Sequence, residues 1–237
     1  GPFPEPLTGY LASQADDWKT SPQLNPLEAY MEGNNTTLNI THDWSGHQIK
    51  YTMGIMDYDE EVHESSWGSA TVFFPVNRDQ EFKQTSHELQ LSSDSSGPLN
   101  YVAGLYYMEA DSFITSGPIQ PFTVNHNAEA MAVYGEMTYD FNELWSLTVG
   151  ARYTDEDKEM NSFSWPPVVG DADRLAGNTD PGVLLNSGNP SFSDDNLSYR
   201  IVLARDLSFG MAYASCSTGF RSGGLFNRGS VPSELEP

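Results

Sequence analysis

The sequence holds one cysteine, Cys216, among 237 residues. That excludes an intramolecular disulfide framework and any cysteine-rich zinc module, and leaves Cys216 as a small residue within a strand. Bases are scarce: 11 Lys+Arg stand against 33 Asp+Glu, a formal net charge of −22. So few cations cannot neutralise a row of phosphates, which argues against nucleic acid as a partner. No basic amphipathic stretch exists to dock on an anionic membrane surface. No run approaches the ~18 apolar residues of a membrane-spanning helix. The opening Gly-Pro-Phe-Pro has neither the basic nor the apolar region of an export signal. Also missing are a Gly-x-Ser-x-Gly elbow, a Gly-x-x-x-x-Gly-Lys phosphate loop and a His-Glu-x-x-His zinc helix. The histidines (His42, His47, His63, His87, His126) are scattered. His87 and Glu88 are neighbours in an expected strand, so they point to opposite faces and cannot act as a pair.

What is present is aromatic and alternating. Aromatics make up 12% of the chain although hydrophobic residues reach only 38%, too aromatic for disorder and consistent with a β protein. The dominant signal has period two. Trp145, Leu147, Val149, Ala151 and Tyr153 fall on one face, opposite Ser146, Thr148, Gly150 and Arg152. Leu197, Tyr199, Ile201 and Leu203 oppose Ser198, Arg200 and Val202; Ile49, Tyr51, Met53 and Ile55 oppose Lys50, Thr52 and Gly54. Leu99 to Tyr107 repeats the pattern less cleanly. No segment of similar length shows a helical period.

Strands are expected at 35–44, 47–57, 84–92, 99–110, 129–140, 145–155, 196–205 and 209–219, paired into four hairpins. Turn chemistry marks each hairpin: Ser45-Gly46, Ser92 to Pro98, Phe141 to Leu144, and Asp206 to Ser208. Long loops at 58–83, 111–128 and 156–195 separate the hairpins. Loops beyond about 15 residues are uncommon in compact domains, whereas short turns alternating with long loops characterise outer-membrane barrels. Trp145 to Tyr153 spans about 27 Å of strand. Tilted by ~40°, it covers roughly 21 Å of the ~25 Å apolar band such barrels present to lipid. An aromatic at each end suits a lipid-facing row, while Arg152 and Arg200 require a wet opposite face. The expectation is an all-β fold: an antiparallel up-and-down β-barrel or partial barrel of about eight strands, with short turns at one end and long loops at the other. Residues 1–34 are expected as an irregular segment or long loop, 35–220 as the barrel, and 221–237 as a loop or tail. A closed eight-stranded barrel needs small inward residues, and Gly104, Gly135 and Gly150 are candidates.

Several stretches resemble one family. They are His87-Glu88-Leu89-Gln90-Leu91, then Gly97-Pro98-Leu99-Asn100-Tyr101-Val102-Ala103-Gly104-Leu105-Tyr106-Tyr107, and Ala132-Val133-Tyr134-Gly135-Glu136. Leu147-Thr148-Val149-Gly150-Ala151-Arg152-Tyr153-Thr154 follows, then Tyr213-Ala214-Ser215-Cys216-Ser217-Thr218-Gly219-Phe220-Arg221-Ser222-Gly223-Gly224. In this order and spacing they resemble the barrel of TonB-dependent outer-membrane receptors, in the siderophore-receptor-like branch. The resemblance runs from about residue 35 to the end. It implies a bacterial outer-membrane location, lipid contact, and a relative of about 22 strands with a plugged lumen. Such a relative passes an iron chelate, vitamin or glycan inward when the TonB system acts on the plug. The chain is then expected to be an internal piece of the barrel, without plug or C-terminal strands. Cys216 stands where a tyrosine is commoner, and Arg221-Ser222-Gly223-Gly224 is expected at a strand-to-loop transition.

Acidic clusters are the other chemical feature. Asp57, Asp59, Glu60, Glu61 and Glu64 open the first expected loop; Asp155, Glu156 and Asp157 open the third, with Asp171, Asp173 and Asp180 further along. Three readings stand side by side: solvated loop acids; a hard-cation site, since Ca²⁺ takes six to eight oxygens; and a carboxylate pair for glycoside hydrolysis. Resident cofactors are not expected beyond such a Ca²⁺. The candidate ligand-capturing residues are Trp67, Asp155, Trp165, Asp171, Asp173 and Arg174, the aromatics being able to stack on a chelate or sugar. The leading expectation is a receptor barrel without catalytic residues. The alternative is a soluble secreted or periplasmic β-rich enzyme, a glycan hydrolase with paired carboxylates, or a binding module built from a receptor segment.

Overall fold

The computed structural model describes residues 28–65, 75–93, 97–118, 121–165, 186–226 and 233–235. They form an up-and-down antiparallel sheet in chain order. Its strands are β1 (Glu28–Trp44), β2 (His47–Ser65), β3 (Pro75–Ser93), β4 (Leu99–Pro118), β5 (Phe122–Asn142) and β6 (Trp145–Ser164). The short β7 (Asn186–Gly188) pairs with the far end of β6, and β8 (Ser191–Leu207) and β9 (Gly210–Ser217) complete the sheet. A separate hairpin joins β10 (Gly224–Phe226) and β11 (Ser233–Leu235). Among the described residues β1 and β9 are both edges, so the sheet is open, as in a section of barrel wall.

The expected hairpins form. Ser45 and Gly46 take positive φ, 49° and 81°, the geometry of a two-residue primed turn matched to strand twist. At the β5–β6 turn the Asn142 Oδ1 accepts from the backbone N–H of Leu144 (2.9 Å) and Trp145 (3.2 Å), an Asx device that fixes the reversal.

Register divides the sheet into two faces. Tyr51, Leu89, Leu105, Val133, Tyr153 and Leu197 face one another across β2 to β8. The Tyr101–Met137–Val149–Ile201 and Leu99–Tyr139–Leu147–Leu203 rows share that face. Many of these apolar side chains are exposed. The opposite face carries Glu88, Tyr134, Arg152 and Arg200. Gly104 and Gly150 lie on this polar face as expected, whereas Gly135 faces outward between Ala103 and Ala151. One residue of parity decides this, because alternate side chains in a strand take opposite faces.

The strands run further than the alternation signals. β2 continues to Ser65 and β3 begins at Pro75; β4 and β5 pair out to Ser116 and Phe122; β6 reaches Ser164. Within the loops expected at 58–83, 111–128 and 156–195, the described residues are therefore largely strand. The physical reason is plain on β6: beyond Tyr153, outward Asp155, Asp157 and Glu159 alternate with inward Glu156 and Lys158. Both faces are polar, so the hydropathy period vanishes while the backbone ladder continues. Cross-strand polar contacts accompany it, including His63 Nδ1 to Asn77 Oδ1 at 3.0 Å and Gln80 Nε2 donating to Tyr58 Oη at 2.9 Å. β1 likewise starts at Glu28 rather than 35, and β10 and β11 lie within the tail expected at 221–237.

The most buried side chains, Ala110, Val124, Ala130, Ala132, Met160 and Ser162, all belong to the polar face of β4 to β6. The packed part of this sheet is thus on its inner side, towards the far ends of the strands.

Candidate functional site on the inner wall

At mid-strand the inner face holds a network that ties five strands together. Tyr134 of β5 lies across β4 and donates its hydroxyl to Glu88 Oε1 on β3 at 2.7 Å; Gln90 Nε2 donates to the same hydroxyl at 3.2 Å. The crossing point is Gly104, where a Cβ would stand 2.5 Å from the Tyr134 ring. A glycine inside a strand marks such a close approach. Glu136, two residues on, reaches the other way. It passes over Gly150 of β6, where a Cβ would lie 3.0 Å from its Oε2, and accepts from Arg200 of β8 at 3.2 Å.

Arg152 sits between the two reaches. Its guanidinium lies 5.6 Å from the Tyr106 ring centre and 5.7 Å from that of Tyr134, within cation–π range. Its Nε donates to Thr154 Oγ1 at 3.0 Å, and its terminal nitrogens have no hydrogen-bond partner among the described residues. Two carboxylates, two guanidinium groups and two tyrosines therefore share one stretch of wall. A recess of about 330 Å³ lies alongside, lined by Tyr134, Glu136, Gly150, Arg152, Ser198 and Arg200. Chemically the arrangement offers charge-assisted hydrogen bonds, which suit a polar surface or an oxygen-rich ligand.

Above the apolar rows a second contact holds the β10 hairpin against the wall. Lys158 Nζ donates to Glu156 Oε2 (3.0 Å), Ser222 Oγ (2.9 Å) and the Gly223 carbonyl (2.9 Å). Burial raises the Glu156 carboxyl. Hydrogen bonds from Ser222 and Lys158, with the Lys158 charge, lower it by more and hold it below its ordinary value. His126 is lowered first by burial and then by Lys158. The Arg221-Ser222-Gly223-Gly224 stretch thus supplies the anchor that leads into β10.

Of the residues expected to capture ligand only Asp155 and Trp165 lie among the described residues, and neither joins this network. Asp155 lies within β6 and faces outward beside Tyr153, not in a loop. Trp165 follows β6 directly, and its backbone N–H donates to the Pro121 carbonyl at 2.9 Å. Trp67, Asp171, Asp173 and Arg174 lie outside the described residues. Among the described residues no three His, Cys, Asp or Glu side chains converge as a metal site. Arg152 and Arg200 do lie on the polar face expected of them. Their coupling to Glu88, Tyr134 and Glu136 was signalled in the sequence only by Gly104 and Gly150 breaking otherwise bulky strands.

The wall has known counterparts. The family model described as TonB dependent receptor-like, beta-barrel, matches residues 2–237. No curated protein sequence matches the chain. Among solved structures, the ferric yersiniabactin uptake receptor FyuA from Yersinia pestis superposes with a TM-score of 0.73 at 14% identity over 89% of this chain. The ferric-catecholate import receptor Fiu from E. coli K12 gives 0.59 at 12% identity over 80% of it. The siderophore receptor PiuA from Acinetobacter baumannii gives 0.58 at 11% identity over 79%. The chain spans 32% of FyuA, 35% of Fiu and 32% of PiuA, about a third of each receptor. At these identities the likeness establishes the fold, and the family match establishes the lineage: the chain belongs to the β-barrel family of TonB-dependent receptors.

Proposed function

We propose that this chain forms part of the wall of a bacterial outer-membrane receptor that binds an iron chelate outside the cell and passes it inward in a TonB-dependent step. The observation that carries this reading is the division of the sheet. Apolar rows bounded by Tyr51, Tyr107 and Tyr153 suit lipid, and the charged inner face suits a filled or wet lumen. FyuA is named for ferric yersiniabactin uptake, Fiu for ferric-catecholate import and PiuA as a siderophore receptor, which supports a ferric chelate over the vitamin or glycan that the family resemblance also admits. In this reading the inner network presents Arg152 and the Glu88 and Glu136 carboxylates to the domain that plugs the lumen. Ligand capture falls to the segments beyond the far ends of the strands, where Trp67, Trp165, Asp171, Asp173 and Arg174 are the candidates.

Equilibrium dialysis of the detergent-solubilised chain against radio-iron-loaded catecholate and phenolate chelates tests the ligand class. Saturable retention of one ferric chelate but not of its iron-free form is expected, weakened by Trp67→Ala or Trp165→Ala. No retention of any ferric chelate, or a monodisperse folded chain that needs no detergent, would overturn the reading.

A further inference from the structure

Along the inner face three cations lie against carboxylates: Arg78 against Glu60, Lys158 against Glu156 and Arg200 against Glu136. Arg152 has no carboxylate against it among the described residues. Its Nε bond to Thr154 and the Tyr106 and Tyr134 rings beside it hold the guanidinium in place. Both terminal nitrogens are left without an acceptor, on the recess that Arg152 and Arg200 share. A guanidinium stays charged at any physiological pH, and its paired N–H donors match the two oxygens of a carboxylate.

Charge and size narrow the occupant. The charged side chains lining the recess are Arg152, Arg200 and Glu136, two positive against one negative. One carboxylate brings that sum to zero, whereas a phosphate dianion overshoots it beside Glu136. The contact between Glu136 and Arg200 is exposed and screened, so Arg200 shares its charge with an incoming acid at little cost. At about 330 Å³ the recess lies near the lower end of small-ligand sites and takes one small acid or one side chain.

We propose that this recess is a carboxylate-binding notch in the wall of the lumen, with Arg152 gripping both oxygens and Arg200 balancing the charge. A ferric chelate with a free carboxylate and an Asp or Glu of the domain that plugs the lumen carry the same group. The proposal deepens the receptor reading and rests on it only for the source of that group. The receptor reading fails on chelate retention or on solubility without detergent, whereas the notch fails on binding at Arg152, which is measured apart from both.

Proton–nitrogen NMR of the arginine Nε–H groups, recorded on the detergent-solubilised chain at constant ionic strength, reads the notch directly. The Arg152 signal is the one missing from Arg152→Lys, and the Gly150 amide on the same recess reports in that variant. Glutamate blocked at its amino and α-carboxyl groups is expected to shift both signals saturably, and blocked glutamine to shift neither. Arg152→Lys keeps the charge but loses the fork, so about tenfold weaker binding is expected. Arg200→Met is expected to weaken binding as well, with the Arg152 signal still present to report it. Gallium(III) citrate, a diamagnetic stand-in for a ferric carboxylate chelate, separates the sources. A shift of the same signals by it supports a chelate, and a shift by blocked glutamate alone supports a side chain of the plugging domain. No saturable shift with either acid, an equal shift with blocked glutamine, tighter binding of inorganic phosphate, or carboxylate binding undiminished in Arg152→Lys overturns the proposal.

Discussion

The two faces of this sheet are built from the same strands by opposite rules. Outward rows such as Leu99–Tyr139–Leu147–Leu203 ask only for apolar side chains of the right parity. Inward, Tyr134 must cross one particular glycine to reach one particular carboxylate. The outward face is specified by hydropathy and tolerates exchange among aliphatics. The inward face is specified by geometry and tolerates very little. Substitutions placed at matched heights on the two faces should therefore differ in size and even in sign.

The largest difference is expected at mid-height on β6. Val149 lies midway between Trp145 and Tyr153 on the outward face. Val149→Arg places a charge against lipid and should cost about 2–4 kcal/mol at that depth. Its inward neighbour Thr148 shares a hydroxyl contact of 2.8 Å with Thr138, so Thr148→Arg should cost within about 1 kcal/mol. Urea titration of chains folded into phospholipid vesicles measures both. Equal costs would mean that the apolar face does not meet lipid.

The glycines give the next contrast. At Gly104 a Cβ would meet the Tyr134 ring at 2.5 Å, while at Gly135 the nearest atoms are Val102 O at 3.5 Å and the Ala103 Cβ at 3.8 Å, ordinary contacts. Gly104→Val should cost about 1–3 kcal/mol through overpacking, displacing Tyr134 from Glu88. Gly135→Ala should be neutral or stabilise by about 0.5–1 kcal/mol, since glycine is the entropically costly choice within a strand. A comparable penalty at both positions would remove the distinction drawn between the faces.

Which parts of this were legible in the sequence follows from the same division. Where one face is apolar and the other polar, as over Trp145 to Tyr153, alternation reports the strand, and its limits in the sequence match those on the apolar rows. Beyond Tyr153 Asp155, Glu156, Asp157 and Lys158 are polar on both faces. Nothing in their order separates strand from loop, although the ladder continues to Ser164. The inner network is legible only in part. Arg152 and Arg200 fall opposite apolar rows, but the partners of Tyr134 and Glu136 lie 46 and 64 residues away in sequence. Only strand order brings them together. Asp155 shows the limit most clearly: its carboxylate suggested a loop ligand, and register turned it outward to the rim of an apolar groove.

Within the inner network, burial ranks the contacts. Tyr134 is partly buried and its hydroxyl serves both Glu88 and Gln90. Tyr134→Phe leaves the Glu88 carboxylate without that donor and should cost about 1–2 kcal/mol. Solvent-exchange protection of the Gly104 and Leu105 amides should fall with it. Unchanged stability would mean that the tyrosine is held by packing alone.

The smallest effect is expected at the ion pair that mirrors Tyr134. Arg200 and Glu136 meet at 3.2 Å, but their side chains are 57% and 39% exposed, and water screens a pair in that setting. A double-mutant cycle of Arg200→Met and Glu136→Gln should give a coupling of about 0.2–1 kcal/mol that shrinks as salt is raised. The two reaches across glycine then differ in kind. The one toward Glu88 is a partly buried hydrogen bond that fixes the wall. The one toward Arg200 is a screened contact that adds little to the wall's stability. A coupling well above this range, insensitive to salt, would show that Arg200 and Glu136 are a structural pair like Tyr134 and Glu88.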